Sequence, residues 1–256
     1  MAKFEGQSQR LRERKNLTFP VRVRGRESTA SEWMEITRMQ DVTALGARFT
    51  LMRPTEPGRV LHLTLPMPRQ LRSYDWMEDQ YQVWALVRRV HLVTPTPTTP
   101  TTPTPITAPR FEVGVAFIGA RPPGQYERDP SRRYQVGTLA DSGMWMVREI
   151  APPPNPKVPR ADDTRLTLLT EVVIELFDEN GQIVASENTV SENISRRGAA
   201  VYTQMRVERG RFVRLICSRD QVSLFAAVRA CRPGPDGVDR MHLEFLDTTW
   251  PLDGIA

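Results

Sequence analysis

Asp41-Val-Thr-Ala-Leu-Gly-Ala-Arg-Phe49 recurs 152 positions later as Asn193-Ile-Ser-Arg-Arg-Gly-Ala-Ala-Val201. Each stretch is a polar turn that begins on an Asx residue, carries a hydroxyl two positions on and reaches a glycine before an apolar run. Around the first, residues 17–23, 35–39, 60–65, 81–93 and 111–118 are strand-like, and 60–65 (VLHLTL) alternates apolar with polar as a half-buried strand does. Around the second, residues 166–177, 183–190, 199–203, 212–217, 224–230 and 241–246 repeat the order. Asn180-Gly181 adds the dipeptide of a tight hairpin. No stretch carries a long 3.6-residue apolar period, so the expected class is all-β and mainly antiparallel.

Other matching points test the duplication. Val87-Arg88 corresponds to Val228-Arg229, 141 positions on, and Phe117 to Phe245, 128 positions on. A constant order with falling offsets means insertions in the first copy, and they fall at residues 69–80 and 94–105. The second insertion, TPTPTTPTTPTP, resembles an interdomain linker, and its prolines make it an extended, stiff excursion. Residues 111–118 beyond it match 241–246, however, so it lies within the first module. The expected division is residues 1–120, a linker at 121–159 with room for a partial helix, and residues 160–256. Gly137 and Gly143 weigh against that helix.

Composition narrows the class. The chain has 256 residues, a net charge of +5 and 39% hydrophobic content, diluted by 22 prolines. Cys217 and Cys231 are its only cysteines, which excludes a disulfide framework and leaves no zinc spacing. The basic start, MAKFEGQSQRLRERK, has no apolar segment behind it, and no apolar run approaches the ~20 residues that span a bilayer. A soluble, cytoplasmic protein without membrane insertion is expected. The 30 acidic residues interspersed among 35 basic ones make nucleic-acid binding the weakest reading.

Arg10 and Arg14 form RxxxR ahead of the first strand, and Asp41, Thr43 and Gly46 form (D/N)x(S/T)xxG. The pair resembles the ligand signature of PilZ domains. Asn193, Ser195 and Gly198 repeat its second half, and Arg165 stands where Arg14 does. The resemblance implies two six-stranded antiparallel β-barrels joined by a proline-rich linker. It also implies cyclic di-GMP as ligand, no cofactor and no catalysis, with occupancy repositioning the arginine segment and altering contacts to an unidentified protein partner. The alternative is a degenerate PilZ-like scaffold that binds proteins and no nucleotide.

The chemistry of these residue types agrees. A guanidinium forks onto phosphate oxygens, stacks on a purine face and takes the N7/O6 edge of guanine. Asp41 or Asn193 can accept from guanine N1 and N2, and Thr43 or Ser195 can add a hydroxyl. Gly46 and Gly198 permit a torsion or a close approach that bulkier residues deny, although Asx and glycine also serve a plain turn. In the second copy Ala161 stands where Arg10 does and Arg160 lies one position off. Either a flexible segment absorbs the slip or a phosphate contact is missing. Arg196-Arg197, inside the second turn, are either exposed turn residues or the compensating phosphate ligands. His62, His91 and His242 are scattered without catalytic partners, and Trp76, Trp84, Trp145 and Trp250 are read as packing or interface residues.

Overall fold

The structure is a computed structural model that describes residues 18–93, 109–139, 145–150 and 165–252. Arg10, Arg14, Arg160, Ala161 and the Thr/Pro tract lie outside the described residues. Six strands build the first barrel: β1 (Pro20–Arg26), β2 (Glu32–Thr43), β3 (Gly46–Leu51), β4 (Val60–Leu65), β5 (Tyr81–Val93) and β6 (Arg110–Gly119). They close in the order β1-β2-β3-β6-β5-β4, all antiparallel, which leaves no open edge. Alternation fills the lumen: Ala47, Phe49 and Leu51 of β3 meet Leu61, Leu63 and Leu65 of β4 in one buried cluster.

A hairpin follows. Within 121–159, where room for a partial helix was expected, the described residues form β7 (Tyr134–Leu139) and β8 (Trp145–Glu149). Gly137 falls inside the register shift between Val136 and Leu139. Period-two burial decides against the helix. Tyr134 is buried with Val60 and Leu86, and Val136 and Val147 pack beside them. The Tyr134 N–H also donates to Gly58 O at 2.8 Å, which ties β7 to the barrel wall. This explains the unbroken buried run Ala85-Leu86-Val87 in β5: Ala85 and Val87 face the lumen, while Leu86 faces the covering hairpin.

The second barrel comprises β9 (Glu171–Phe177), β10 (Ile183–Ser195), β11 (Gly198–Tyr202), β12 (Phe212–Cys217), β13 (Val222–Pro233) and β14 (Asp239–Phe245), closed in the order β10-β11-β14-β13-β12-β9. Its registers copy the first. Asp41 pairs with Arg48 after a bulge at Gln40, and Asn193 pairs with Ala200 after a bulge at Glu192. Arg88 and Arg229 occupy matching bulges in β5 and β13. Pro20 pairs with Arg38 as Glu171 does with Val190, an offset of 151 at β1 that sets Arg165 against Arg14 along the sequence. The first copy is longer only where Leu65 runs to Tyr81 and Val93 to Arg110, the two expected insertions.

The barrels use one face in two ways. Trp84 and Leu86 on the outside of the first lie under the β7–β8 segment, and Trp84 meets Tyr126 edge-on at 5.1 Å. Their counterparts, Phe225 and Ala227, are buried too, and Phe225 packs against barrel one. Its ring lies 5.0 Å from Phe111 and 6.1 Å from Phe177, and stacks on Phe212 at 5.4 Å. The Asn180-Gly181 turn is pressed to the same seam. A Cβ on Gly181, whose φ is +75°, would stand 2.1 Å from Met52 O. Arg229 adds an ion pair to Glu56 at 2.6 Å across the joint.

Candidate functional site

Both motif turns are two-residue connections at the same end of their barrels. The hydroxyls serve the turn itself. Thr43 Oγ1 donates to Gly46 O at 3.3 Å and accepts from Leu45 N–H at 3.2 Å, and Ser195 Oγ donates to Gly198 O at 3.1 Å. Ser195 is fully buried. The glycines answer a close approach: an added Cβ would stand 2.3 Å from Val115 O at Gly46 and 2.4 Å from Leu243 O at Gly198. Strand β6 or β14 crosses directly under each turn, where the Phe117 N–H donates to Leu45 O and the Phe245 N–H to Arg197 O, both at 2.8 Å.

The Asx positions differ between copies. Asp41 is 5% exposed, and its Oδ2 accepts from Arg48 Nε at 2.7 Å. Arg48 also donates to Glu112 Oε1 at 3.1 Å. The bonds to Glu112 and Asp41 raise the Arg48 pKa above the ordinary guanidinium value. The turn is further enclosed by Ser73, whose Oγ donates to Ala44 O at 2.7 Å, and by Trp145, whose Nε1 donates to Leu45 O at 3.4 Å. Thus the first insertion and β8 both brace this hairpin.

In the second copy, Ala200 stands where Arg48 does, so no arginine arises from the facing strand. Arg165 takes that role from the chain ahead of β9. Paired backbone bonds between Leu166 and Ile194, each 2.9 Å, draw the segment alongside β10. Arg165 Nη1 then donates to Asn193 Oδ1 at 3.3 Å. Asn193 is half-buried, and Arg196 and Arg197 are exposed beside it. The Trp250 N–H donates to Arg196 O at 3.0 Å, so the turn backbone is fixed while its two side chains face solvent.

His242, on β14 opposite Ala200, belongs to this surface. Burial, then the charges of Arg165 and Arg232, push its pKa below the usual imidazole value, with Glu192 opposing. Sequence reading missed His242 and Arg48. Arg48 was findable from the hairpin register, which sets it opposite Asp41, whereas His242 faces Ala200 across the non-sequential β11–β14 pair. The expectation for tryptophans divides: Trp250 is fully buried, whereas Trp76 is 55% exposed on the first insertion. Among the described residues no group of His, Cys, Asp and Glu could hold a metal ion, and no helix is long and apolar enough to cross a membrane.

No family model and no curated protein matches the chain. Several solved structures align along most of it. The Bacillus subtilis inhibitor of motility (MotI/DgrA) does so at 13% identity and a TM-score of 0.30, over 90% of this chain and 88% of that one. The K. pneumonia MrkH–c-di-GMP complex does so at 11% and 0.27, over 89% and 78%. YcgR from Escherichia coli in complex with c-di-GMP does so at 9% and 0.27, over 89% and 75%. The site is therefore read from this chain's own residues. Two closed six-stranded barrels, each with the Asx–hydroxyl–glycine hairpin between its second and third strands, make the chain similar to tandem PilZ proteins.

Proposed function

We propose that the chain is a non-catalytic receptor for cyclic di-GMP that passes ligand occupancy to a protein partner. The observation that carries this reading is the contact of Arg165 with Asn193, since it joins the arginine ahead of the barrel to the Asx residue of the hairpin. A guanidinium and an amide side by side on a half-buried surface suit a ligand of two phosphates and two guanines. The arginine takes phosphate or the guanine N7/O6 edge, and the amide oxygen accepts from N1 and N2. Arg196, Arg197 and Arg232 give the surroundings the same sign of charge. In the first copy, Arg10 and Arg14 are the proposed phosphate ligands, beside a hairpin shaped by Asp41, Thr43 and Gly46. Ser195 and Gly198 hold the second hairpin in the same shape.

Relay follows from position. Arg165 lies six residues ahead of Glu171 at the start of β9, so a ligand that recruits its guanidinium acts on the segment that leads into the second barrel. Isothermal titration of the full chain with cyclic di-GMP tests the reading. Heat saturating at micromolar ligand is expected, and its absence would sink the proposal.

A protein-binding scaffold without nucleotide is the second reading. It is favoured by the Arg48–Asp41–Glu112 arrangement, in which the first copy's carboxylate already has a cation. Met34 and Ile36 on β2, 61% and 67% exposed, offer that scaffold an apolar surface. Partner capture unaffected by Asp41→Ala and Arg165→Ala would favour it.

A further inference from the structure

Between the barrels lies a cleft of about 610 Å³, within the size range of small-molecule sites. It sits away from the first motif hairpin. On the side of barrel one it is walled by the β3–β4 connection with Glu27, Ser131 and Arg133, and β3 separates that connection from the Asp41–Gly46 turn by roughly 16 Å, at about 3.3 Å per residue. Six arginines line it: Arg53, Arg59, Arg133, Arg209, Arg211 and Arg229.

Four carboxylates also line the cleft, and each is committed. Glu27 accepts from Arg59 at 2.5 Å, and Glu56 lies 2.6 Å from Arg229 and 3.3 Å from Arg133. Glu179 meets Arg53 at 3.2 Å, and Asp178 Oδ1 accepts from the Asn180 and Gln182 N–H groups of its own turn. Arg209 and Arg211 have no carboxylate partner among the described residues, and Arg211 donates one N–H to Phe177 O at 3.0 Å. These two flank Gly210, whose φ of +90° turns the chain where an added Cβ would meet open space. The equivalent turn of barrel one, at Gly58 with φ +95°, carries Arg59 into the same cleft. Duplicated turns thus bring arginines to one space from both barrels. Glu179, the partner of Arg53, is 75% exposed, while Arg53 is 19% exposed with its guanidinium over the Trp33 ring, so the cation is held at the cleft and its counterion lies toward solvent. Phe212, half-buried on the same wall, adds an aromatic surface.

We propose that this cleft is a second anion site, built for the phosphates of a nucleotide and separate from the motif hairpins. Arg209 and Arg211 take phosphate oxygens as charge-assisted forks, Arg53 joins them from the opposite wall, and Phe212 receives the base. Occupation bridges the two barrels through groups from both.

Two probes, inorganic pyrophosphate and ADP, titrated into the full chain, test this. Both should bind at low salt, with ADP at least threefold tighter. R209A/R211A should weaken both at least tenfold, and Arg211→Lys should restore part of the loss, which a folding defect would not allow. R219A, at a 77% exposed arginine that does not line the cleft, should leave both affinities unchanged. Absence of binding at millimolar probe, or equal binding by R209A/R211A, would overturn the site. ADP binding no tighter than pyrophosphate would overturn its assignment to a nucleotide.

Discussion

Replacing Gly46 or Gly198 by alanine separates what these glycines do for the barrel from what they do for a ligand. The new Cβ would stand 2.3 Å from Val115 O or 2.4 Å from Leu243 O, about 1 Å inside ordinary contact. The obstacle is backbone. Gly46 pairs with Ala116 and Gly198 with Glu244 in continuous ladders, so no flexible side chain can swing aside. Relief requires strand separation beside the 2.8 Å bonds that the Phe117 and Phe245 N–H groups donate. Overpacking of this kind costs roughly 1–3 kcal/mol, and the backbone neighbour sets both sites toward the upper end. At about 2–4 °C per kcal/mol for a chain of this size, the melting midpoint should fall by several degrees. Gly124, with nothing within 4 Å of its added Cβ, is the control. Urea and thermal unfolding of G46A, G198A and G124A provide the assay. If G46A and G198A matched the control while ligand affinity fell, the glycines would be serving ligand approach and the packing argument would be wrong.

Other outcomes follow from the same contacts. Phe225→Ala should cost about 3–5 kcal/mol by emptying the centre of the Phe111–Phe177–Phe212 seam, and an unchanged urea midpoint would contradict that placement. Gly181→Val should undock the barrels without unfolding them, read as a larger radius of gyration in solution scattering, because Met52 O blocks the new side chain. Arg48→Ala should destabilise by roughly 1–3 kcal/mol, since it takes the arginine from the buried Asp41 carboxylate; a loss within 0.5 kcal/mol, the usual surface range, would count against that pairing. His242 has a depressed folded pKa, so its contribution to stability is present above the unfolded value of about 6.5 and is lost as pH falls through it. His242→Gln should therefore flatten the stability profile below about pH 6.5; parallel profiles would refute the assignment.

Much of the fold was legible because strand pairing preserves sequence spacing. The offset of 152 between Asp41 and Asn193 is also the offset of the strands that face them, from Phe49 to Val201. Insertions do not disturb it until the chain passes Leu65. Gly137 carried a usable signal as well, marking a register shift in a strand pair rather than a defect in a helix. The barrel–barrel seam was not legible. Phe225 is an apolar residue in a strand, and nothing in a period-two pattern says whether an outward ring meets solvent, a hairpin or another barrel. The motif hairpins were legible, but the partners of their side chains were only partly so. Arg48 stands opposite Asp41 because the two-residue turn pairs Thr43 with Gly46, whereas Ala200 at the same place leaves Asn193 to Arg165, which arrives from outside the hairpin. The sequence favours the first copy for its complete arginine pair; the described contacts set Arg48 against Asp41 in the first and Arg165, from ahead of the barrel, against Asn193 in the second.

The Arg165–Asn193 contact is therefore the point to measure. Isothermal titration of cyclic di-GMP into the wild-type chain, Arg165→Ala and Arg14→Ala compares the two copies in one experiment. A charge-assisted bond of about 1.5–3 kcal/mol predicts that Arg165→Ala weakens binding at the second copy roughly 10- to 100-fold, seen as one class of sites lost from the stoichiometry. Wild-type affinity and stoichiometry in Arg165→Ala would contradict the account.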